Sequence, residues 1–437
     1  MVGLARSGQA AARLLAGRGE RVRAVDSGHP EGAAGLAEAG VEVLLDTDGV
    51  AQLEGTRTVV KSPGVPREAP VIATALERGI EVLGEMELAW RALPNRFVAV
   101  TGTNGKTTTV ELLGHLYRTA GEPVAVAGNV GTALSELVGE VEPDATVVCE
   151  CSSFQLEDTS AFAPECAVFL NLAPDHLDRP RDLESYLAAK LRIFANQGND
   201  DVAVYNADDP FAADADLGGC ARRIAFCRGA SPDCEVALAE GTIFYDGEPL
   251  LAVSELGLFG EHNVANAMAA AAAALSMGVD REAVREGLRS FAGVEHRLEG
   301  VAEIGGVRFV NDSKATNVAS ATVGIAAFES GIHAILGGSE KDEPFAPLVE
   351  PLREHARACY LIGATSERMA RELAPVLEAG IELHRCADLE DAVRRARAAA
   401  QPGEVVLLSP ACASFDAFEN FEARGERFRE IVGELAR

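Results

Sequence analysis

Lysine is scarce in this chain: of 39 basic residues only five are lysine, at positions 61, 106, 190, 314 and 341. A chain that uses arginine almost everywhere else keeps lysine where a compact point charge or a reactive amine serves. The competing reading is a coding bias toward arginine with a few lysines left by chance. Long apolar runs are missing as well, none reaching the roughly 18 residues of a membrane helix. The opening MVGLARSGQAAARLL has no charged, apolar and cleavage zones of a signal peptide. Both absences predict a cytoplasmic protein. Positive charge is in deficit, with a net −28, which argues against nucleic acid or anionic membrane as partners, because both demand local cationic surface. The nine cysteines are odd in number and show no repeated spacing, which predicts reduced thiols rather than a disulfide framework. Cys149 and Cys151 alternate with Glu150 as strand side chains do, and no second Cys or His pair lies nearby at zinc spacing.

What the chain does have is ample apolar content, 48% over 437 residues, too long for one ordinary core and enough for two or three α/β domains. Residues 1–92 alternate short apolar runs (RVRAVD, VEVLL, TRTVVKSPGV, IEVLGE) with helix-like stretches, the rhythm of a small doubly wound sheet. Gly3 and Gly8 open a helix and Asp26 ends a strand, as in a dinucleotide fingerprint, but the middle glycine is replaced by Ala5. An NAD-dependent dehydrogenase predicts the complete motif. Only Met1 and Val2 precede Gly3, so the first strand is nearly absent, which suggests a misassigned start or a trimmed chain and weakened substrate affinity. The Pro-Asn break in RALPNRF marks the first boundary. A second α/β domain spans 93–293, with strands at VAVTG, ATVVCE, CAVFLN and VAVYN and a closing alanine-rich helix. A third, 294–437, restarts the rhythm with VRFVND, HAILGG, ACYLIG and EVVLLSP.

The stretch VTGTNGKTTTV resembles a phosphate-binding loop shortened by one part, since Val100 stands where G-x-x-x-x-G-K-[ST] has its first glycine. A buried strand precedes it and an amphipathic helix follows, so Gly102–Lys106 is a strand-to-helix turn. Its backbone N–H groups and the helix N-terminus favour phosphate oxygens, Lys106 reaches the β and γ phosphates, and the Thr107 hydroxyl follows where it can hold Mg2+. Glu150 ends one strand and His176 follows another. Taken singly, Glu150 reads equally as a ligand or a surface carboxylate and His176 as a ligand or an ordinary loop histidine; taken together beside the loop they favour a metal–phosphate site. Lys190 read alone is a helix-surface lysine whose stem snorkels.

These residues carry a resemblance. TGTNGKT, with SPGV (62–65), GNVG (128–131), ECSSFQLE (150–157), DHLDR (175–179), YLAAKLRIF (186–194), HNVANAMAA (262–270), HRLE (296–299), NDSKATN (311–317) and LLSPACASFDAFENFEARG (407–425), resembles the Mur ligases in their order along nearly the whole chain. The loop alone would admit any sister ligase, including folylpolyglutamate synthase. SSFQLE and SPACASFDAFENF are similar to the D-glutamate-adding branch, and the D-N-P-R motif of the diamino-acid-adding relative is absent.

The resemblance implies three domains: an N-terminal Rossmann-like UDP-binding domain, a central P-loop ATPase-like domain and a C-terminal Rossmann-like domain. It implies a monomer that uses ATP and two Mg2+ sites to join D-glutamate to UDP-N-acetylmuramoyl-L-alanine through an acyl phosphate. ATP is assigned to Gly102, Thr103, Asn104, Gly105, Lys106, Thr107 and Thr108, with Asn263 and Asn266 near the adenine, Arg297 on phosphate and Asp312 on the ribose. Thr107 and Glu150 hold one Mg2+. His176 belongs to a second metal site, for which Lys190 supplies a ligand as a CO2-derived carbamate. Asn263 and Asn266 also fit the start of a helix, where asparagine caps. The UDP-substrate falls to Ser7, Ser27, Ser62 and Asn129, with Gly28 standing where some relatives carry arginine. The incoming amino acid falls to Thr316, Lys341, Ser414 and Phe421. Closure of the third domain is expected to assemble the catalyst. The rivals are a sister ligase adding another amino acid and a nucleotide-operated binding module that has lost catalysis.

Overall fold

The computed structural model describes residues 1–129, 131–173, 183–229, 234–258, 260–340 and 343–436. It divides into two compact units, Met1–Leu256 with Asn263–Ser290, and Gly257–His262 with Phe291–Arg437.

The first unit begins with β1 (Arg23–Val25), β2 (Glu42–Leu44), β3 (Thr58–Lys61) and β4 (Glu81–Gly84), which pair in parallel as β1 with β2 and β3 with β4. Val2 forms parallel bridges to both Val25 and Lys61. Its N–H donates to Val60 O at 2.8 Å, and Ser62 N–H donates to Val2 O at 2.9 Å. The strand that looked nearly empty in the sequence is thus present as two residues, and they join the halves into one sheet. The turn that follows is tight: a Cβ on Gly8 would stand 1.9 Å from Gly3 O, so the helix Arg6–Gly17 crosses its own entry turn only with glycine there.

The same unit continues through β5 (Phe97–Thr101), β6 (Val124–Gly128), β7 (Thr146–Glu150), β8 (Cys166–Phe169), β9 (Val202–Asn206), β10 (Arg222–Cys227), β11 (Val236–Ala239), β12 (Thr242–Tyr245) and β13 (Glu248–Ala252). They form one sheet in the order β13-β12-β11-β10-β9-β8-β5-β7-β6, parallel except for the antiparallel meander β11-β12-β13. Every residue of β5, β7 and β8 is buried, as expected of parallel strands covered on both faces. The chain leaves β5 for the edge at β6 and returns through β7 to the other side of β5 from β8. The C-terminal ends of β5, β7 and β8 therefore meet where strand order reverses, the usual place for a ligand. Ala269 to Ala274 of the helix Glu261–Ser276 are all wholly buried.

The second unit holds β14 (Glu299–Ile304), β15 (Val307–Asn311), β16 (Ile332–Gly337), β17 (Ala356–Ile362), β18 (Glu382–Arg385) and β19 (Val405–Leu408), in the order β14-β15-β19-β16-β17-β18. Only the β14–β15 hairpin is antiparallel. Apolar clusters lie on both faces of this sheet. One contains Ile325, Leu336 and Leu348, and the other packs Phe428, Ile431 and Val432 of the helix Phe421–Leu435 against Phe309 and Leu408.

The cysteine expectation needs one correction. Cys227 and Cys234 form a disulfide, while the seven other cysteines are free. Cys227 ends β10 and Cys234 stands two residues before β11, with the two Cα atoms 6.2 Å apart, within bonding range. Cys149 and Cys151 both lie in the apolar core beneath the sheet. Among the described residues no helix is long and apolar enough to cross a membrane.

Candidate functional site

In the first unit the turn after β5 is built by glycine. Gly105 sits at φ 84° and Gly102 at φ 155°, and a Cβ on Gly105 would stand 2.2 Å from Asn266 Oδ1. Close approach of the helix Glu261–Ser276 therefore fixes this position as glycine. The end of β8 pins the turn from the other side. Thr103 N–H donates to Asn171 O at 2.9 Å, Asn104 N–H donates to Asn171 Oδ1 at 2.8 Å, and Asn171 Nδ2 donates back to Asn104 O. Asn171 was missed by sequence reasoning; its signal was an asparagine two residues after a buried strand beside the loop.

The helix Lys106–Thr119 begins at the turn. Lys106 Nζ donates to Gly102 O at 2.9 Å and Thr103 O at 2.8 Å. Thr107 Oγ1 donates to Glu150 Oε2 at 2.8 Å, and Asn129 Nδ2 donates to Glu150 Oε1 at 3.0 Å. Glu150 is buried, so the surface-carboxylate reading of it is wrong. Strand alternation explains its place: Cys149 and Cys151 turn into the core and Glu150 turns to the loop. The Asn129 N–H also donates to Glu150 O, and a Cβ on Gly128 would stand 2.3 Å from that oxygen. Lys190 is 1% exposed, so the surface reading fails here too. Its Nζ donates to Gly102 O at 2.7 Å and lies 4.5 Å from the centre of the Tyr186 ring.

A hydroxyl, a carboxylate and two lysines thus converge on one phosphate-type turn. This donor set fits a nucleotide phosphate with Mg2+: hard oxygens for the metal, and ammonium groups with a helix N-terminus for the anion. Asn263 lies in the first turn of its helix rather than at the cap, and its Oδ1 accepts from Asn266 Nδ2 at 3.1 Å. Thr108 is buried on the helix that the loop opens.

Around the first helix of the chain, Ser7 Oγ and Ser62 Oγ lie 3.1 Å apart. Ser27 is exposed just beyond β1. Asp26, the ribose-binding acid of a dinucleotide enzyme, is engaged otherwise: Oδ2 accepts from Leu4 N–H at 2.6 Å and Oδ1 from Gly28 N–H at 2.9 Å. Neighbouring Lys61 forms a buried ion pair with Asp158 at 2.6 Å and donates to Val65 O at 2.7 Å.

The second unit gathers the remaining residues at the ends of β15 and β19. Asp312 accepts from Leu298 N–H at 3.2 Å and from Ser409 Oγ at 2.7 Å. Burial pushes its pKa up to about 7, against the pull of the Ser409 hydroxyl and of Arg297. Lys314 Nζ lies 5.9 Å from the centre of the Phe421 ring. Ser414 is buried and Thr316 half-buried. His176 and Lys341 lie outside the described residues.

Three family models cover the chain in succession: the Mur ligase MurD-like N-terminal domain over residues 1–84, the Mur ligase middle domain over 100–274, and the Mur ligase glutamate ligase domain over 296–412. The UDP-N-acetylmuramoylalanine–D-glutamate ligase of Acidobacterium capsulatum is 43% identical, over 99% of this chain and 95% of its own. The ligase of that name from Anaeromyxobacter dehalogenans is 45% identical over 100% and 97%. Among solved structures, the UDP-N-acetylmuramate-alanine ligase MurC of Thermotoga maritima matches with TM-score 0.59 at 19% identity, over 99% of this chain and 98% of its own. At that identity the likeness concerns the fold.

Proposed function

The chain belongs to the Mur ligase family, and on that premise we propose that it joins D-glutamate to UDP-N-acetylmuramoyl-L-alanine with hydrolysis of ATP to ADP and phosphate. Relatives more than 40% identical over essentially the full chain bear the name of that ligase. The observation that carries the chemistry is the convergence of Lys106, Thr107, Glu150 and Lys190 on the turn after β5.

The reaction has two displacements. A carboxylate oxygen of the muramoyl-alanine attacks the γ-phosphorus and ADP leaves; the amine of D-glutamate then attacks the acyl carbon, loses a proton, and phosphate leaves. The first step brings two anions together, so its acceleration is mainly positioning and charge neutralisation. Backbone N–H groups of Gly105–Thr108, at the start of the helix Lys106–Thr119, and the Lys106 ammonium hold the phosphates. Thr107 and Glu150 are oriented by their mutual hydrogen bond as oxygen ligands. Mg2+, when bound, screens phosphate charge. Lys190, buried and donating to the Gly102 carbonyl, acts as a carbamate in this reading, and His176 is assigned to the same metal site. Asn263, Asn266, Arg297 and Asp312 serve the nucleotide. Ser7, Ser27, Ser62 and Asn129 serve the UDP-substrate, and Thr316, Lys341, Ser414 and Phe421 serve the amino acid. We assign the domains as 1–92, 93–293 and 294–437, and the working form as a cytoplasmic monomer.

The test is phosphate release with ATP, Mg2+ and UDP-N-acetylmuramoyl-L-alanine against D-glutamate, L-glutamate, L-lysine and meso-diaminopimelate. Release with D-glutamate alone is the expected result. Release with another amino acid moves the specificity to a sister reaction, and release with none overturns the catalytic reading.

A further inference from the structure

In the second unit, Arg424 is 1% exposed, one of the largest wholly buried side chains of the protein. It stands in the first turns of the helix Phe421–Leu435, and all its acceptors among the described residues are neutral. Nε donates to Ser313 Oγ at 2.9 Å. Nη2 donates to Ser313 O at 2.9 Å and Cys412 O at 3.0 Å, and Nη1 to Ala413 O at 3.4 Å. Ser313 Oγ in turn donates to Phe421 O at 2.8 Å. Burial holds the guanidinium pKa down to about 10, so the charge is maintained at a cost that four dipolar contacts offset. Apolar packing would fill the space with no such penalty. What the guanidinium adds is geometry. Its planar fork binds, at one point, the segment after β15, the segment after β19 and the start of the helix, and these carry Thr316, Ser414 and Phe421.

We propose that Arg424, working through Ser313, is the positioning residue that sets the spacing of the amino-acid-binding segments, and so controls use of the incoming amino acid without touching it. The proposal rests on placing that substrate at Thr316, Ser414 and Phe421. Lysine cannot replace the fork, because an ammonium offers three donors around a point rather than five in a plane. Asp312 lies next to Ser313 but is held from elsewhere, by Leu298 N–H and Ser409 Oγ, so nucleotide affinity is insulated from the fork.

Steady-state kinetics of Arg424→Lys and Ser313→Ala, varying each substrate in turn, test this. The expected result is a fall of about 10- to 100-fold in kcat/KM for D-glutamate, the scale of a slight misplacement, carried by KM, with KM for ATP and for the UDP-substrate unchanged. Ser313→Ala keeps the test open if the arginine variant does not fold. Parallel loss toward all three substrates, tracking the folded fraction, overturns the proposal in favour of simple structural support. Ser414→Ala separates the two readings. If Ser414→Ala raises KM for D-glutamate while Arg424→Lys and Ser313→Ala do not, the positioning role is refuted. If Ser414→Ala leaves it unchanged, the placement of the substrate falls, and the proposal with it.

Discussion

Replacing Lys61 with methionine keeps the stem and removes the charge, leaving Asp158 without its partner 2.6 Å away. The two side chains are 3% and 2% exposed, and the nearest other cation, Arg67, lies 3.9 Å from the second carboxylate oxygen on a side chain 40% exposed. Breaking a buried pair from one side costs about 3–5 kcal/mol; the partial cover from Arg67 puts Lys61→Met at the lower end. Burial pushes the Asp158 pKa up and Lys61 pulls it back, so in the variant the folded carboxyl holds its proton to higher pH than the unfolded one. The loss of stability is then smallest at acid pH and grows as pH rises through the folded pKa. Urea denaturation at pH 5 and pH 8 reads this, taken from the first transition, since a chain with several cores need not unfold in one step. The double variant Lys61→Met with Asp158→Asn is expected to recover most of the loss. Lys61 also holds Val65 O, next to Ser62, so KM for the UDP-substrate rises while KM for ATP stays. A Lys61→Met loss below about 1 kcal/mol, flat in pH, would refute the reasoning, because a pair that weak belongs to the solvated surface.

Gly105→Ala forces a left-handed residue, worth about 1–2 kcal/mol, and drives Asn266 from its bond with Asn263. ATP binding by calorimetry is expected to weaken about tenfold, and an unchanged affinity would dissociate the turn from nucleotide binding. Lys190→Ala is expected to lose about 100-fold or more in turnover, with partial return on adding a short carboxylic acid; full activity without it would remove the carbamate from the scheme. For Asp312, with a folded pKa of about 7 against 3.8, the stabilising contribution is complete below 3.8 and is lost as pH rises through 7. Asp312→Asn should erase that slope from the stability–pH profile of the second unit.

The fold was legible where one rule governed a segment. Strands β5, β7 and β8 read as apolar runs because both faces are buried, and the turn after β5 read as a phosphate loop because strand, lysine–threonine pair and helix coincide. The missed strands β6, β10, β14 and β18 are short or only partly buried, and the meander β11-β12-β13 is an edge whose alternation is weak. Motif residues named their sites, but their surroundings did not. Lys190 reads singly as a surface group and Glu150 equally as one or as a ligand, and only tertiary packing buries them. Asp158, Asn171 and Arg424 act through partners 97, 67 and 111 positions away along the chain, separations that no local pattern records.

Strand β7 has a neighbour on each edge, β5 and β6, and its last residue is Glu150. Backbone amides in such a doubly flanked, fully buried strand exchange with solvent only when the sheet itself opens, so their lifetimes belong to the slow end of the molecule's spectrum. The carboxylate is mounted on that slow clock, while the turn that receives the lysine contacts is loop backbone, which moves far faster. Deuterium uptake should therefore reach the turn Gly102–Gly105 well before it reaches Val147–Glu150, separating in time the parts of the site that adapt from the part that serves as their fixed mark.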